Sequence, residues 1–468
     1  MLGLVSALAT ALTTLLLLLL LLALTRQLWS FRWSLTRDRR CELPLPKGSM
    51  GWPLVGETFQ WLFQGSNFHI SRRKRHGNVF KTHLLGKPLV RVTGAENIRK
   101  ILLGEHSLVC TQWPQSTRII LGPNALVNSI GELHKRKRKI LAKVFSRKAL
   151  ESYLPRLQEV IKSEIAKWCA EPGSVDVYAA TRSLTFRIAI GVLLGLHLEE
   201  ERIDYLAQIF GQLMSNLFSL PIDAPFSGLR KGIKARKILH ANMEKIIEKK
   251  MERQQEEEEY RDAFDYMLST SKEQGQQISI QELKACGQKK DQSTNLLRGT
   301  FPQSQCHASN LSLDKLNQLH YIDCVIKEVL RFLPPVSGGY RTALQTFELD
   351  GYQIPKGWTV MYSIRDTHET AEIFQNPELF DPDRFVTAQV ESRSSRFSYV
   401  PFGGGVRSCV GKELAQIILK TLTIELIRTC KWTLATEKFP KMQTVPIVHP
   451  VNGLHVNFMY KNLHEIDH

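Results

Sequence analysis

From Leu2 to Leu24 the chain carries no charged side chain and only four polar ones, and Leu15–Leu22 is an unbroken leucine run. At 1.5 Å per helical residue that length crosses a bilayer core of about 30 Å. The segment lacks the positive n-region of a secretory signal, which remains the alternative reading. Residues 1–25 therefore read as a membrane anchor. Residues 26–50 form a basic, proline-containing linker, with Arg26, Arg32, Arg37, Arg39 and Arg40 followed by Leu43-Pro44-Leu45-Pro46. The charge asymmetry leaves the remainder of the chain on the cytosolic side, with Trp29 and Trp33 expected at the interface. Beyond the linker, two β runs, Asn78–Leu84 and Leu89–Thr93, flank a turn at Gly86-Lys87. Apolar spacing of three and four then predicts helices near Arg136–Phe145, Tyr153–Trp168, Ala179–Leu194, Lys234–Glu252 and Leu316–Phe332. Pro334-Pro335 ends the last of these. A hairpin over Phe347–Ile354 turns at Asp350-Gly351, Thr359–Ile364 reads as a strand, and a final hairpin is expected at Asn452-Gly453. The sum is one mainly α domain with small β-sheets over residues 51–463.

Composition adds a strong basic bias. Among 468 residues, 62 Lys and Arg face 45 Asp and Glu, a net charge of +17. No nucleic-acid-binding module accompanies it, so nucleic acid is not the expected partner. Clusters such as Arg72-Arg73-Lys74-Arg75 and His134–Lys139 suit lipid headgroups or an acidic partner protein, or are solvated helix faces. The eight cysteines show no paired spacing, which favours a reducing compartment. The Asn310-Leu311-Ser312 acceptor is then without consequence.

The candidate chemistry sits in Phe402-Gly403-Gly404-Gly405-Val406-Arg407-Ser408-Cys409-Val410-Gly411, ahead of a helical pattern opening at Lys412. A cysteine near a helix N-terminus meets partial positive charge that favours a thiolate. Glycines allow backbone to approach a flat group closely. Taken alone, any one such cysteine is more often an inert buried thiol. The pattern Phe-x-x-Gly-x-Arg-x-Cys-x-Gly, however, resembles the haem-thiolate loop of the cytochrome P-450 superfamily. The resemblance implies the cytochrome P-450 fold and haem b, its iron ligated by the Cys409 thiolate. Phe402, Gly403 and Gly411 would shape the loop. Arg407 would meet a haem propionate, as would Arg341 and Arg138, although His134 replaces the tryptophan of the family's W-x-x-x-R. Glu328 and Arg331 match E-x-x-R and, with Arg384, would form a buried structural network.

Segments including Pro46–Pro53, Val79–Gly86, Pro225–Gly228 and Tyr362–His368 are similar to family 26, the retinoic acid hydroxylases, with its C branch nearest. That implies ring oxidation of all-trans retinoic acid, electrons from NADPH–cytochrome P-450 reductase, and the endoplasmic reticulum membrane. Trp113, Phe218, Pro335, Val336 and Ser337 are substrate-lining candidates by family position, and each is equally readable as core packing.

One region departs from the family. A long distal (I) helix should cross between Lys284 and Leu311, yet residues 285–310 contain Gly287, Gly299 and Pro302 and no sustained apolar face. Crossing a domain takes roughly 25 uninterrupted helical residues. No distal acid–alcohol pair is identified, Asp291 and Thr294 lying in a polar, lysine-flanked stretch, and no helix matches the one that follows in the family. The segment reads as a replacement, by alternative splicing or an error in the gene model. Weak or absent hydroxylation is the expectation, the alternative function being a non-catalytic haem or retinoid binder.

Overall fold

The computed structural model describes residues 2–196, 198–253, 311–386, 396–443 and 448–461, which divide into two compact units. The expected replacement at 285–310, its missing distal helix and the acidic run at Glu256–Glu259 lie outside the described residues.

The first unit holds residues 1–112 and 338–366. Its N-terminal helix, Leu2–Ser34, continues well past the expected anchor and takes up the first residues of the expected linker. Among the described residues one helix is long and apolar enough to cross a membrane, over Ser6–Ser34. Its last turns do not simply meet an interface. The Trp29 indole N–H donates to the Met50 carbonyl at 3.2 Å, and its ring meets His83 edge-on at 5.1 Å. Trp33 lies 5.5 Å from His83 and 6.3 Å from Trp358. Two indoles whose rings find partners within the protein have less reason to remain at headgroup level. Burial, helped by the nearby Arg32 charge, pulls the His83 pKa down to about 4.

A five-stranded sheet follows, in the order Val79–Leu84, Lys87–Val92, Thr359–Ser363, Gly338–Ala343, Val109–Thr111. The first hairpin turns at Leu85-Gly86, one residue earlier than expected, because both take positive φ (53° and 79°), the backbone of a tight two-residue turn. Lys87–Val92 pairs in parallel with Thr359–Ser363, so strands distant in sequence close the sheet. Phe347–Leu349 and Tyr352–Ile354 pair across Asp350-Gly351 as expected.

The second unit holds residues 113–337 and 367–468. Its main core joins Leu157, Ile161 and Ile165 of helix Arg147–Ala170 to Leu422, Ile424 and Leu426 of helix Lys412–Thr429. Ile322, Ile326 and Leu330 complete it. These last belong to helix His320–Phe332, separated at Leu319 (φ −84°, ψ 69°) from Leu313–Gln318, so the expected single helix is two. Leu313, Leu316, Leu319 and Ile322 repeat every three residues. At 100° per residue a continuous helix would set Leu313 and Ile322 on opposite faces, and the break lets both reach one core. A second cluster packs Leu206, Phe210 and Leu213 of Glu200–Ser215 against Leu229, Ala235 and Leu239 of Gly228–Arg253.

The hairpin expected at Asn452-Gly453 is absent. His449–Pro450 pairs with Met442–Gln443, whereas His455–Tyr460 lies between Val175–Asp176 and Cys430–Leu434 in another sheet. The turn serves Asp176 instead, whose carboxylate accepts from Leu454 N–H at 3.0 Å and caps the helix Val177–Ile188 through Tyr178 N–H at 3.1 Å. Gly453 has φ +77°, and a Cβ there would fall 2.9 Å from that carboxylate.

Candidate haem-binding site

The cysteine loop is closed by its own backbone. Gly403 N–H donates to Val400 O at 2.9 Å, Ser408 N–H to Gly405 O at 3.1 Å, and Cys409 N–H to Phe402 O at 2.9 Å. Gly403 and Gly405 take φ of +67° and +63°, conformations costly for any other residue type. A Cβ added at Gly403 would meet no atom within 4 Å, so the loop borders open space on that side. Cys409 is a half-buried free thiol, and Phe402 packs on the main core. Helix Lys412–Thr429 starts after Gly411, so Cys409 precedes the helix rather than occupying its first turn. Arg138 donates to the Ser408 hydroxyl at 3.0 Å. Burial pulls the Arg138 pKa down, opposed by the charge of Cys409. A thiol donor, a cation beside it and open space along a strained glycine backbone fit a thiolate-ligated haem.

Behind the loop stands an ionic knot. Glu328 is fully buried and accepts from Arg331 Nε at 2.6 Å and Nη2 at 2.8 Å, from Arg384 Nε at 3.1 Å and from Asp381 N–H at 2.9 Å. Arg331 also donates to the carbonyls of Pro377 and Leu379, at 2.9 and 3.1 Å. Glu328 and Arg331, three apart on helix His320–Phe332, share a face. Arg384 comes from the short turn Pro382–Phe385.

His368 ties this knot to the loop. Its Nε2 accepts from Val400 N–H at 3.0 Å, which leaves Nδ1–H to donate to the Arg331 carbonyl at 3.3 Å. It stacks on Tyr399 at 5.2 Å, and burial pulls its pKa down to about 3. Sequence reasoning gave His368 no role. The only signal was its place in Arg365-Asp366-Thr367-His368, and a lone histidine there does not reveal two backbone partners.

The other named residues separate. Trp113 and Phe218 come together, ring centroids 6.2 Å apart, both half-buried. Pro335 and Ser337 are half-buried and Val336 is 43% exposed. Arg341 belongs to the first unit, in strand Gly338–Ala343, where it is buried and its Nε lies 2.6 Å from the Glu105 carboxylate.

A cysteine loop leading into a core helix, braced by a buried Glu–Arg–Arg knot in a mainly helical fold, defines a haem-thiolate protein. The family description Cytochrome P450 matches residues 46–288 and 301–458, and the chain belongs to that family. It is 52% identical to Cytochrome P450 26B1 of Homo sapiens, covering 98% of this chain and 95% of that one. It is 53% identical to Cytochrome P450 26C1 of Homo sapiens, covering 92% of each. The subgroup is therefore family 26, and the two human relatives do not separate its B and C branches. A solved structure described as retinoic acid bound cyanobacterial CYP120A1 superposes with a TM-score of 0.79 at 31% identity, covering 90% of this chain and 100% of that one. The fold and family carry haem held by a cysteine thiolate and the chemistry of a monooxygenase.

Proposed function

We propose that this chain hydroxylates all-trans retinoic acid on its ring, as a microsomal monooxygenase supplied with electrons by NADPH–cytochrome P450 reductase. The observation that carries this reading is 52% identity to a family 26 enzyme over 98% of the chain. The cyanobacterial structure, described as retinoic acid bound, supports the substrate class. Haem, when bound, supplies reductive activation of dioxygen. Cys409 would supply the thiolate that holds the haem iron. Arg138 and Arg407 neutralise propionates, and Arg341 is given the same role on resemblance alone. Phe402, Gly403 and Gly411 shape the loop, and Glu328, Arg331 and Arg384 brace it. Trp113, Phe218, Pro335 and Val336 would give an apolar lining suited to a ring and polyene, with Ser337 as a polar group beside them. Residues 1–25 hold the protein in the endoplasmic reticulum membrane with the remainder cytosolic.

A second reading, a haem or retinoid binder with little turnover, rests on two findings. The family description leaves residues 289–300 unmatched. The alignment to the human B-type relative runs over 486 positions, more than the 468 residues of this chain, so that relative has residues without a counterpart here. The matched part nevertheless reaches into both ends of the 285–310 segment. Loss of distal structure would open the haem to water, and activated oxygen would escape as peroxide or superoxide.

The test is a carbon monoxide difference spectrum of the reduced, haem-supplied protein, followed by retinoic acid turnover with reductase. A long-wavelength thiolate band with turnover near that of an intact relative supports the first reading. The same band without turnover supports the second. Absence of the band, or a band unchanged in Cys409→Ser, removes both. Transcript sequencing across residues 284–311 decides whether the segment is a true variant.

A further inference from the structure

Two of the thiols outside the haem site touch each other. Cys169 ends the long helix Arg147–Ala170, and Cys430 opens strand Cys430–Leu434 directly after helix Lys412–Thr429. Three contacts fix this neighbourhood. Cys430 pairs in register with Tyr460, the Tyr460 hydroxyl donates to the Ala166 carbonyl at 3.4 Å, and Trp168 lies 5.5 Å from Phe458. Cys169 packs against the core cluster that contains Cys430, and the two side chains are in hydrogen-bond contact. Cys430 is completely buried, Cys169 only partly, and neither is in a disulfide.

We propose that Cys169 and Cys430 form a redox latch, a reversible disulfide that clips the end of helix Arg147–Ala170 to the end of the helix behind the cysteine loop. The oxidant is hydrogen peroxide. Cys169, the accessible member, attacks it as thiolate, giving a sulfenic acid and one hydroxide that takes up the thiol proton as water. The Cys430 sulfur then displaces the second hydroxide, which leaves as water with the Cys430 proton. The sulfur pair loses two electrons, peroxide gains two, and one S–S bond replaces one O–O bond. Thiol contact is longer than the 2.05 Å of a disulfide, so the two elements must close slightly. Burial raises the Cys169 thiol and pushes Cys430 up to about 12, so both rest protonated and the latch stays open in a reducing cytosol. A sustained peroxide load is what closes it.

The experiment uses the full chain, purified in detergent with haem supplied. It is treated with hydrogen peroxide, alkylated after unfolding, and mapped by mass spectrometry without reduction. The expected product is a Cys169–Cys430 cross-linked peptide two hydrogens lighter than the sum of its parts, abolished by dithiothreitol. The unfolding midpoint should rise by about 3 °C or more with the cross-link, and peroxide should leave that of Cys169→Ser unraised. The proposal fails if both thiols remain alkylatable, if they oxidise singly to sulfinic or sulfonic acids, or if the cross-link forms without raising the midpoint.

Discussion

Replacing Glu328 by glutamine removes one charge from a fully buried ionic site in the second unit. The carboxylate is fully buried and accepts four hydrogen bonds, from Arg331 twice, Arg384 and the Asp381 amide. An amide preserves the volume but turns one of two acceptor oxygens into a donor aimed at a guanidinium. Breaking a buried pair from one side costs about 3–5 kcal/mol, because the partner charge is stranded. Arg331 retains the Pro377 and Leu379 carbonyls, which places the loss near the lower figure. About 3 kcal/mol corresponds to a midpoint roughly 4–5 °C lower for a unit of this size. The same substitution at Glu132, whose pair with Lys135 is exposed to solvent, should leave the midpoint in place. Circular dichroism melts, with the carbon monoxide band of the purified protein as a second readout, measure both. A Glu328→Gln variant melting within 1 °C of wild type with a full thiolate band would refute the reasoning.

Arg138→Ala removes a charged donor from the loop and should weaken haem retention by roughly tenfold to a hundredfold, read as transfer to apomyoglobin, while leaving the fold intact. His368 stays neutral in the folded protein down to about pH 3, whereas the unfolded chain takes up its proton near 6.5. The unfolded state therefore binds more protons between those values, and stability falls as pH falls through that window, by about 2 kcal/mol from this group at pH 5. Urea denaturation of wild type and His368→Gln at pH 7.5 and 5 should show a smaller acid loss in the variant. An equal loss in both would remove His368 from the account. Gly453→Ala forces a side chain into positive φ and against Asp176, and should cost roughly 1–3 kcal/mol by chemical denaturation.

Much of the fold was legible because it is carried by local pattern. The helices Arg147–Ala170 and Gly228–Arg253 announce themselves through apolar spacing, and Asp350-Gly351 through turn chemistry. Failures came where distant partners decide. Asn452-Gly453 is a turn in sequence, but whether its flanking strands pair depends on Val175–Asp176 and Cys430–Leu434, far along the chain. The division at Leu319 shows only once Leu313 and Ile322 are seen in one core. In the site, fixed spacing marked Glu328 with Arg331 and the loop around Cys409. His368 works through backbone carbonyl and amide partners, which leave no trace in residue type. Arg341 with Glu105 is a pairing between residues far apart in the chain, and no local rule predicts it.

The seating of Trp29 and Trp33 against His83 and Trp358 sets a limit for anyone shortening the chain to work without detergent. Cutting at the proline stretch discards both indoles and uncovers a histidine and a tryptophan that water does not now reach. A cut ahead of Leu28 removes the greasy run yet keeps the plug in place.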